Sequence, residues 1–284
     1  REVWLETTAA TCVTDLFVHT PTLTEAAVSV TTDAPEKAAV LRVSLCAPDG
    51  AALVGQQLPA AAKAECTLTL PDAQPWGTDH PNLYTCRAEL LDAAGQVLDC
   101  RETTFGFRTA EFKADGFYLN GKKTFLRGLN RHQSYPYIGY AAPESLQRND
   151  ARILKNELHC NAVRTSHYPQ SQHFLDECDK LGLLVFTELP GWQHIGDAAW
   201  KDRACEMLRE MIMQNRSHPS IILWGVRINE SVDDDEFYNR TNKIAHELDP
   251  SRATSGVRYL EKSHLLEDVY AYNDFSHNLS LIHI

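Results

Sequence analysis

Several features are missing from this chain of 284 residues, and each absence excludes something. No run of about 18 apolar residues occurs, so no segment is expected to cross a bilayer as a helix. No Lys/Arg cluster occurs, and 27 basic against 38 acidic residues leave a formal charge of −11. That balance argues against nucleic acid or an anionic membrane as the main partner and favours a neutral or weakly charged ligand. The eight cysteines (Cys12, Cys46, Cys66, Cys86, Cys100, Cys160, Cys178, Cys205) include no Cys-x-x-Cys spacing and sit in apolar strand and helix patterns. Free, mostly buried thiols in a reducing compartment are expected, not disulfides or a zinc site. The opening Arg1-Glu2-Val3-Trp4-Leu5-Glu6 mixes charge into its apolar pattern, reads as a strand already under way and carries no cleavable signal, so a cytoplasmic location is the expectation. No Gly-rich turn follows a strand, which removes the phosphate cradle of a nucleotide fold.

What is present divides in two, as the length leads one to expect. From residue 11 to 109 the apolar period is two: Leu41, Val43 and Leu45 alternate with Arg42, Ser44 and Cys46, and Tyr84, Cys86, Ala88 and Leu90 with Thr85, Arg87 and Glu89. Turns at Asp49-Gly50 and Ala94-Gly95 cut this into short strands about ten residues apart, the pattern of an antiparallel, immunoglobulin-like sandwich. Trp76, in a proline-punctuated loop, reads as a packing anchor more than a sugar platform. From about residue 110 the grammar changes. An Asn120-Gly121 turn leads into a strand at 124–129, and helices and strands then alternate. Helical stripes occur at Leu146, Ile153, Leu154 and Leu158; at Phe174, Leu175, Cys178 and Leu181; at Ala204, Met207, Leu208, Met211 and Ile212; and at Phe237, Thr241, Ile244, Ala245 and Leu248. About six strands are counted, where a closed (β/α)8 barrel needs eight and some 250 residues. Residues 110–284 are therefore expected to form an incomplete TIM barrel, with a tail at 279–284 that follows none of the preceding pattern.

In barrels of this kind chemistry is done at the C-terminal tips of strands. Four successive tips carry polar or aromatic groups: Asn130-Arg131-His132, Arg164-Thr165-Ser166-His167-Tyr168, Glu188 with Trp192, and Asn229-Glu230. One such His or Arg would ordinarily be a hydrogen-bonded structural residue. Four tips together describe a cup of donors, acceptors and an aromatic wall suited to a polyhydroxylated ligand. Glu230 is the first candidate for a catalytic residue. Asp233, Asp234, Asp235 and Glu236 read as the cap of the following helix, Glu188 as a pocket or supporting group, and Asp268 and Asp274 carry no mark of function.

The ordered motifs Phe105-Gly106-Phe107-Arg108, Phe117-Tyr118-Leu119-Asn120-Gly121-Lys122, Arg127-Gly128-Leu129-Asn130-Arg131-His132, Asn161-Ala162-Val163-Arg164-Thr165-Ser166-His167-Tyr168-Pro169 and Asn215-Arg216-Ser217-His218-Pro219, with Trp224 and Asn229-Glu230, resemble glycoside hydrolase family 2, the β-galactosidase and β-glucuronidase family. The resemblance implies a jelly-roll strand over residues 1–10, an immunoglobulin-like sandwich over 11–109 and a partial TIM barrel over 110–284. It implies retaining double displacement on a small-molecule carbohydrate, most like a terminal β-galactoside, with β-glucuronidase, β-mannosidase or noncatalytic sugar binding as alternatives.

By the same resemblance Glu230 is the general acid/base with a raised pKa, and Asn229 bonds the sugar 2-hydroxyl. His132 and His167 line the pocket, Arg164 supports the carboxylates and Trp192 belongs to the substrate wall. The nucleophile is expected near the end of a seventh strand, past residue 284, so the chain alone is expected not to turn over. Homo-oligomers are common in the family. Two departures are visible: four residues, Gly225-Val226-Arg227-Ile228, separate Trp224 from Asn229, which leads us to expect a β-bulge there. Trp192 also stands where some relatives place a magnesium carboxylate, leaving only His194, so no metal is expected.

Overall fold

The computed structural model describes residues 5, 7–259 and 262–274. Of the jelly-roll strand expected at 1–10, residues 1–4 and 6 lie outside the described residues and 5 and 7–10 are not strand; the tail at 279–284 lies wholly outside them.

Seven strands build the first unit: β1 (Cys12–His19), β2 (Glu25–Asp33), β3 (Val40–Cys46), β4 (Ala52–Pro59), β5 (Lys63–Thr69), β6 (Tyr84–Leu91) and β7 (Val97–Phe105). They form two antiparallel sheets, ordered β1-β2-β5 and β4-β3-β6-β7. The alternating pattern becomes the core directly: Leu41, Val43, Leu45, Cys86, Ala88 and Leu90 are fully buried against Val28, Val30, Phe105 and Phe107. No disulfide joins the sheets; all eight cysteines are free, six of them buried and Cys100 exposed.

A small meander follows, β8 (Ala110–Lys113), β9 (Gly116–Leu119) and β10 (Lys122–Lys123). Asn120 (φ 52°) and Gly121 (φ 75°) both take left-handed backbone, as the two-residue turn between β9 and β10 demands. Residues 124–127, expected to open the first barrel strand, are not strand; they carry the chain from the meander to β11 (Gly128–Asn130). Pairing decides this boundary, because Gly128 lies so close to Ala162 that any side chain there would strike its carbonyl.

The second unit then alternates as read: α1 (Glu144–Arg152), β12 (Ala162–Thr165), α2 (Gln172–Leu181), β13 (Leu184–Glu188), α3 (Ala198–Asn215), β14 (Ile221–Gly225), α4 (Asp235–Leu248), β15 (Ala253–Arg258) and β16 (Val269–Tyr272). The six strands β11 to β16 are all parallel and hydrogen-bonded in sequence order. That order identifies a singly wound barrel wall, since a doubly wound sheet reverses direction at a switch point. The fold is thus an immunoglobulin-like sandwich followed by an incomplete TIM barrel.

Local chemistry sets the helix ends. Asp197 caps α3 by accepting from Trp200 N, Asp234 caps α4 by accepting from Phe237 N, and Gly182 closes α2 at φ 66°. The expected bulge lies elsewhere. The register steps from Val185↔Ile221 to Phe186↔Leu223, so the extra residue is Ile222, inside β14, and 226–229 form a turn beyond the strand.

Buried polar contacts join the two units and fix where β14 starts. Arg108 donates from Nε to the Pro219 carbonyl and from Nη2 to that of Ile221 (2.6 Å). Trp76, wholly buried as an anchor should be, donates from Nε1 to the Asp179 carbonyl of α2 at 2.8 Å. Beside it His218 reaches Asp179 through Nδ1 and Gln172 through Nε2.

Candidate active site

The strand tips converge. At the end of β12, Arg164 donates from Nε to Glu188 Oε1 (2.6 Å) and from Nη2 to Asn229 Oδ1 (2.7 Å), linking three tips through one guanidinium. Glu188 ends β13 with 3 % of its side chain exposed. A side chain at Gly225 would meet Glu188 at 2.7 Å, so glycine at the end of β14 is what lets that carboxylate lie between strands. The His167 Nδ1 stands 3.1 Å from Glu188 Oε2 and 3.2 Å from Arg164 Nη2. A carboxylate only accepts and a guanidinium only donates, so Nδ1 gives its proton to Glu188 in one tautomer and accepts from Arg164 in the other.

The His132 and His167 rings meet edge to face at 5.4 Å. Burial, then the neighbouring His167 and the Arg164 charge, hold His132 below the usual imidazole range, so it is neutral near pH 7.

Glu230 occupies the lip. Its backbone is left-handed (φ 56°) and its N–H bonds the Val257 carbonyl of β15 at 2.8 Å, which pins the turn after β14 to the next strand. Its Oε2 accepts from Trp192 Nε1 (2.9 Å) and Gln193 Nε2 (3.1 Å), and its Oε1 from Asn273 Nδ2 at the tip of β16. Trp192 pairs with Asn229 in a parallel bridge, and Gln193 N bonds the Asn229 carbonyl at 2.8 Å, so the loops after β13 and β14 continue the sheet outward. The indole of Trp192 is 63 % exposed, a free aromatic face beside the carboxylate. Asn229, by contrast, is buried, and its Nδ2 has no hydrogen-bond partner among the described residues.

All six expected residues, Glu230, Asn229, His132, His167, Arg164 and Trp192, thus lie in one connected constellation. Two participants were not foreseen, Gln193 and Asn273. Asn273 follows the sixth strand directly, so the tip rule applied to the first four strands would have found it; Gln193 carries no signal beyond its neighbour Trp192.

The expected elevation of the Glu230 pKa is corrected. Burial pushes it up, but the three donors, with the His167 charge, outweigh burial and hold it below the usual carboxylate range. Donors aimed at a carboxylate stabilise its charged form, and three of them meet here.

The groups a magnesium ion would need do not gather. His194 packs edge to face on Trp200, and among the described residues no three His, Cys, Asp or Glu side chains cluster to hold a metal. None of the described helices is long and apolar enough to cross a membrane.

Comparison with known proteins gives the family of both units. Residues 110–279 match the family model of the glycosyl hydrolases family 2 TIM barrel domain, and residues 11–108 that of glycosyl hydrolases family 2. The chain is 62 % identical over 209 residues to a β-galactosidase of Thermoanaerobacterium thermosulfurigenes, covering 74 % of this chain and 29 % of that protein. It is 58 % identical over 205 residues to a β-galactosidase of Thermoanaerobacter pseudethanolicus, covering 72 % and 28 %. Among solved structures, an FMN-binding β-glucuronidase from Facaelibacterium prausnitzii L2-6 superposes with a TM-score of 0.85 at 28 % identity, over 94 % of this chain and 45 % of that one. The chain therefore spans less than a third of the length of these curated relatives. With both units matched in order, the chain belongs to glycosyl hydrolases family 2.

Proposed function

We propose that this chain is the sandwich and partial barrel of a retaining exo-β-glycosidase acting on terminal β-galactosides, with Glu230 as general acid/base. The observation that carries the reading is the placement of Glu230: on a strand-tip turn, between a free aromatic face and an anchored Arg164–Glu188–Asn229–His167 network.

Glu230 delivers a proton to the glycosidic oxygen as the leaving group departs, then as carboxylate activates water. Its three donors favour the charged form. A sugar that excludes water, together with a second carboxylate about 5 to 5.5 Å away, raises its pKa into the working range. Glu188 does not serve as that nucleophile, being committed to Arg164 and His167. We assign the nucleophile to sequence outside these 284 residues, where the relatives extend. Asn229 Nδ2, buried and unpartnered, costs about 1–3 kcal/mol until an acceptor reaches it, and a sugar 2-hydroxyl is the acceptor we assign to it. The rings of His132 and His167 offer their nitrogens to further hydroxyls, and Trp192 the apolar face of the wall.

A β-glucuronide reading needs a free cation for the sugar carboxylate. Arg164, the guanidinium of the cup, is already taken by Glu188 and Asn229, which favours a neutral sugar. The test is a panel of aryl β-D-galactosides, glucuronides and mannosides on the full-length protein and its Glu230→Gln variant. Hydrolysis of galactosides with poorly acidic leaving groups, lost by 10²-fold or more in the variant, is the expected outcome, in keeping with general-acid contributions of about 10²–10⁴. Undiminished hydrolysis of those substrates by the variant would end the assignment.

A further inference from the structure

The hydrogen bonds around Glu230 distinguish its two oxygens. Oε2 faces Trp192 Nε1 and Gln193 Nε2, and an indole N–H donates but never accepts. A proton on Oε2 could bond a rotated Gln193 amide, but the Trp192 N–H would then face the hydroxyl oxygen, a far poorer acceptor than a carboxylate oxygen. Oε1 has a single partner, the Asn273 amide, whose Oδ1 has no partner of its own among the described residues. An amide can present either end: rotation about the last side-chain torsion, broad and nearly two-fold for Asn, exchanges NH2 for C=O at little cost. The backbone of Asn273 stays fixed meanwhile, its N–H on the Arg258 carbonyl at 2.8 Å, with Arg258 itself buried and paired to Glu267.

We infer that the transferable proton of Glu230 is carried on Oε1, and that Asn273 is the positioning residue that holds both protonation states, giving a hydrogen bond to the carboxylate and accepting one from the acid.

This rests on Glu230 being the acid/base. Trp192 then fixes the orientation of the carboxyl group in both states, and Asn273 follows the proton. Among the described residues His167, on the β12 side, is the charged group that acts on Glu230. Arg164 and Glu188 behind it are paired to each other, Arg258 on β15 is paired to Glu267, and Asp274 is next in the chain to Asn273.

The test follows the carbon-13 carboxyl signals of glutamate-labelled 284-residue chain through a pH titration, with Glu230 assigned by the signal that Glu230→Gln removes. A bond to the charged form is worth more than one to the neutral form, so Asn273→Leu is expected to raise the Glu230 midpoint by about 0.5–1 pH unit. Trp192→Phe, which removes a donor that has no acceptor to offer the acid, is expected to raise it further. Asn273→Ala, with less steric demand, repeats the first result should leucine perturb the fold. An unmoved or lowered midpoint in both Asn273 variants overturns the role of Asn273, and a smaller shift for Trp192→Phe than for Asn273→Leu overturns the placement of the proton. In the full-length enzyme Asn273→Leu is expected to slow poor leaving groups at least threefold more than activated ones, whereas a merely structural role slows both alike. The titration needs no turnover, so its failure refutes this inference alone; full activity of Glu230→Gln refutes the function on which it rests.

Discussion

The antiparallel sandwich and the parallel sheet of this protein place their charges in opposite ways. Between β1 and β7 the interior is nearly all apolar, and the ion pairs Lys63–Glu65 and Arg87–Glu102 lie on the exposed face. In the parallel sheet the charges are inside: Arg258–Glu267 with no exposed side-chain surface, Arg252–Asp249 at 4 % and 0 %, and Arg164–Glu188 at 11 % and 3 %. Removing charges from water costs several kcal/mol per ion unless each is paired and hydrogen-bonded. A sheet retains such groups where they hold strand tips and the turns beyond them in register. In the sandwich, whose strands pair by hairpin and alternate cleanly, apolar burial suffices.

Three experiments sharpen this contrast. The largest effect is expected from Glu267→Ala, which strands Arg258 without its carboxylate in a dry site. Unfolding by urea should show a loss of about 3–5 kcal/mol, and a loss below about 1 kcal/mol would deny that the buried pair holds the β15–β16 edge.

An intermediate effect is expected at His218, between the two units. Burial pushes its pKa down, but the Asp179 charge and hydrogen bond outweigh burial and raise it above the usual imidazole value. A group whose folded pKa is raised contributes stability that is fully present below the unfolded value, about 6.5, and is lost as pH rises through the folded one. The chain should therefore lose stability as pH climbs above about 6.5, and His218→Gln should flatten that slope while costing about 1–2 kcal/mol at pH 6, read by urea midpoints across pH. An unchanged slope in the variant would remove His218 from the account. The smallest effect is expected at the sandwich surface, where Glu102→Ala should change stability by less than about 1 kcal/mol, since exposed ion pairs contribute little.

The same contrast explains what the sequence makes legible. Leu41, Val43 and Leu45 announce a strand because one face of β3 is buried and the other is not. The inner parallel strands β13, β14 and β15, covered on both faces, read as short runs, and the number and order of the parallel strands were recoverable, but their limits depend on neighbours. Residues 124–127 look like strand, yet Thr124 bonds back to Phe117 of β9 and Arg127 bonds Asn161 and Ala162, so no single ladder runs along them; the extra residue of β14 is at Ile222 because the Val185 register sets it, not the longer spacing before Asn229. In the cup, side chains at strand tips were identifiable from position alone, while the state of Glu230 was not. Gln193 and Asn273 come from loops brought together only by folding, and their donors reverse the expected pKa shift.

The central claim, that Glu230 gives up a proton to the leaving group, is tested most directly by the leaving-group dependence of the full-length Glu230→Gln variant. Values of kcat/KM, which report the step in which the leaving group departs, on aryl β-galactosides of increasing phenol pKa should be close to wild type for the most acidic phenols and fall progressively, by 10²-fold or more, for the least acidic, because only the latter need protonation. A loss of equal size across the whole series would contradict the claim and leave Glu230 as a residue that shapes the cup.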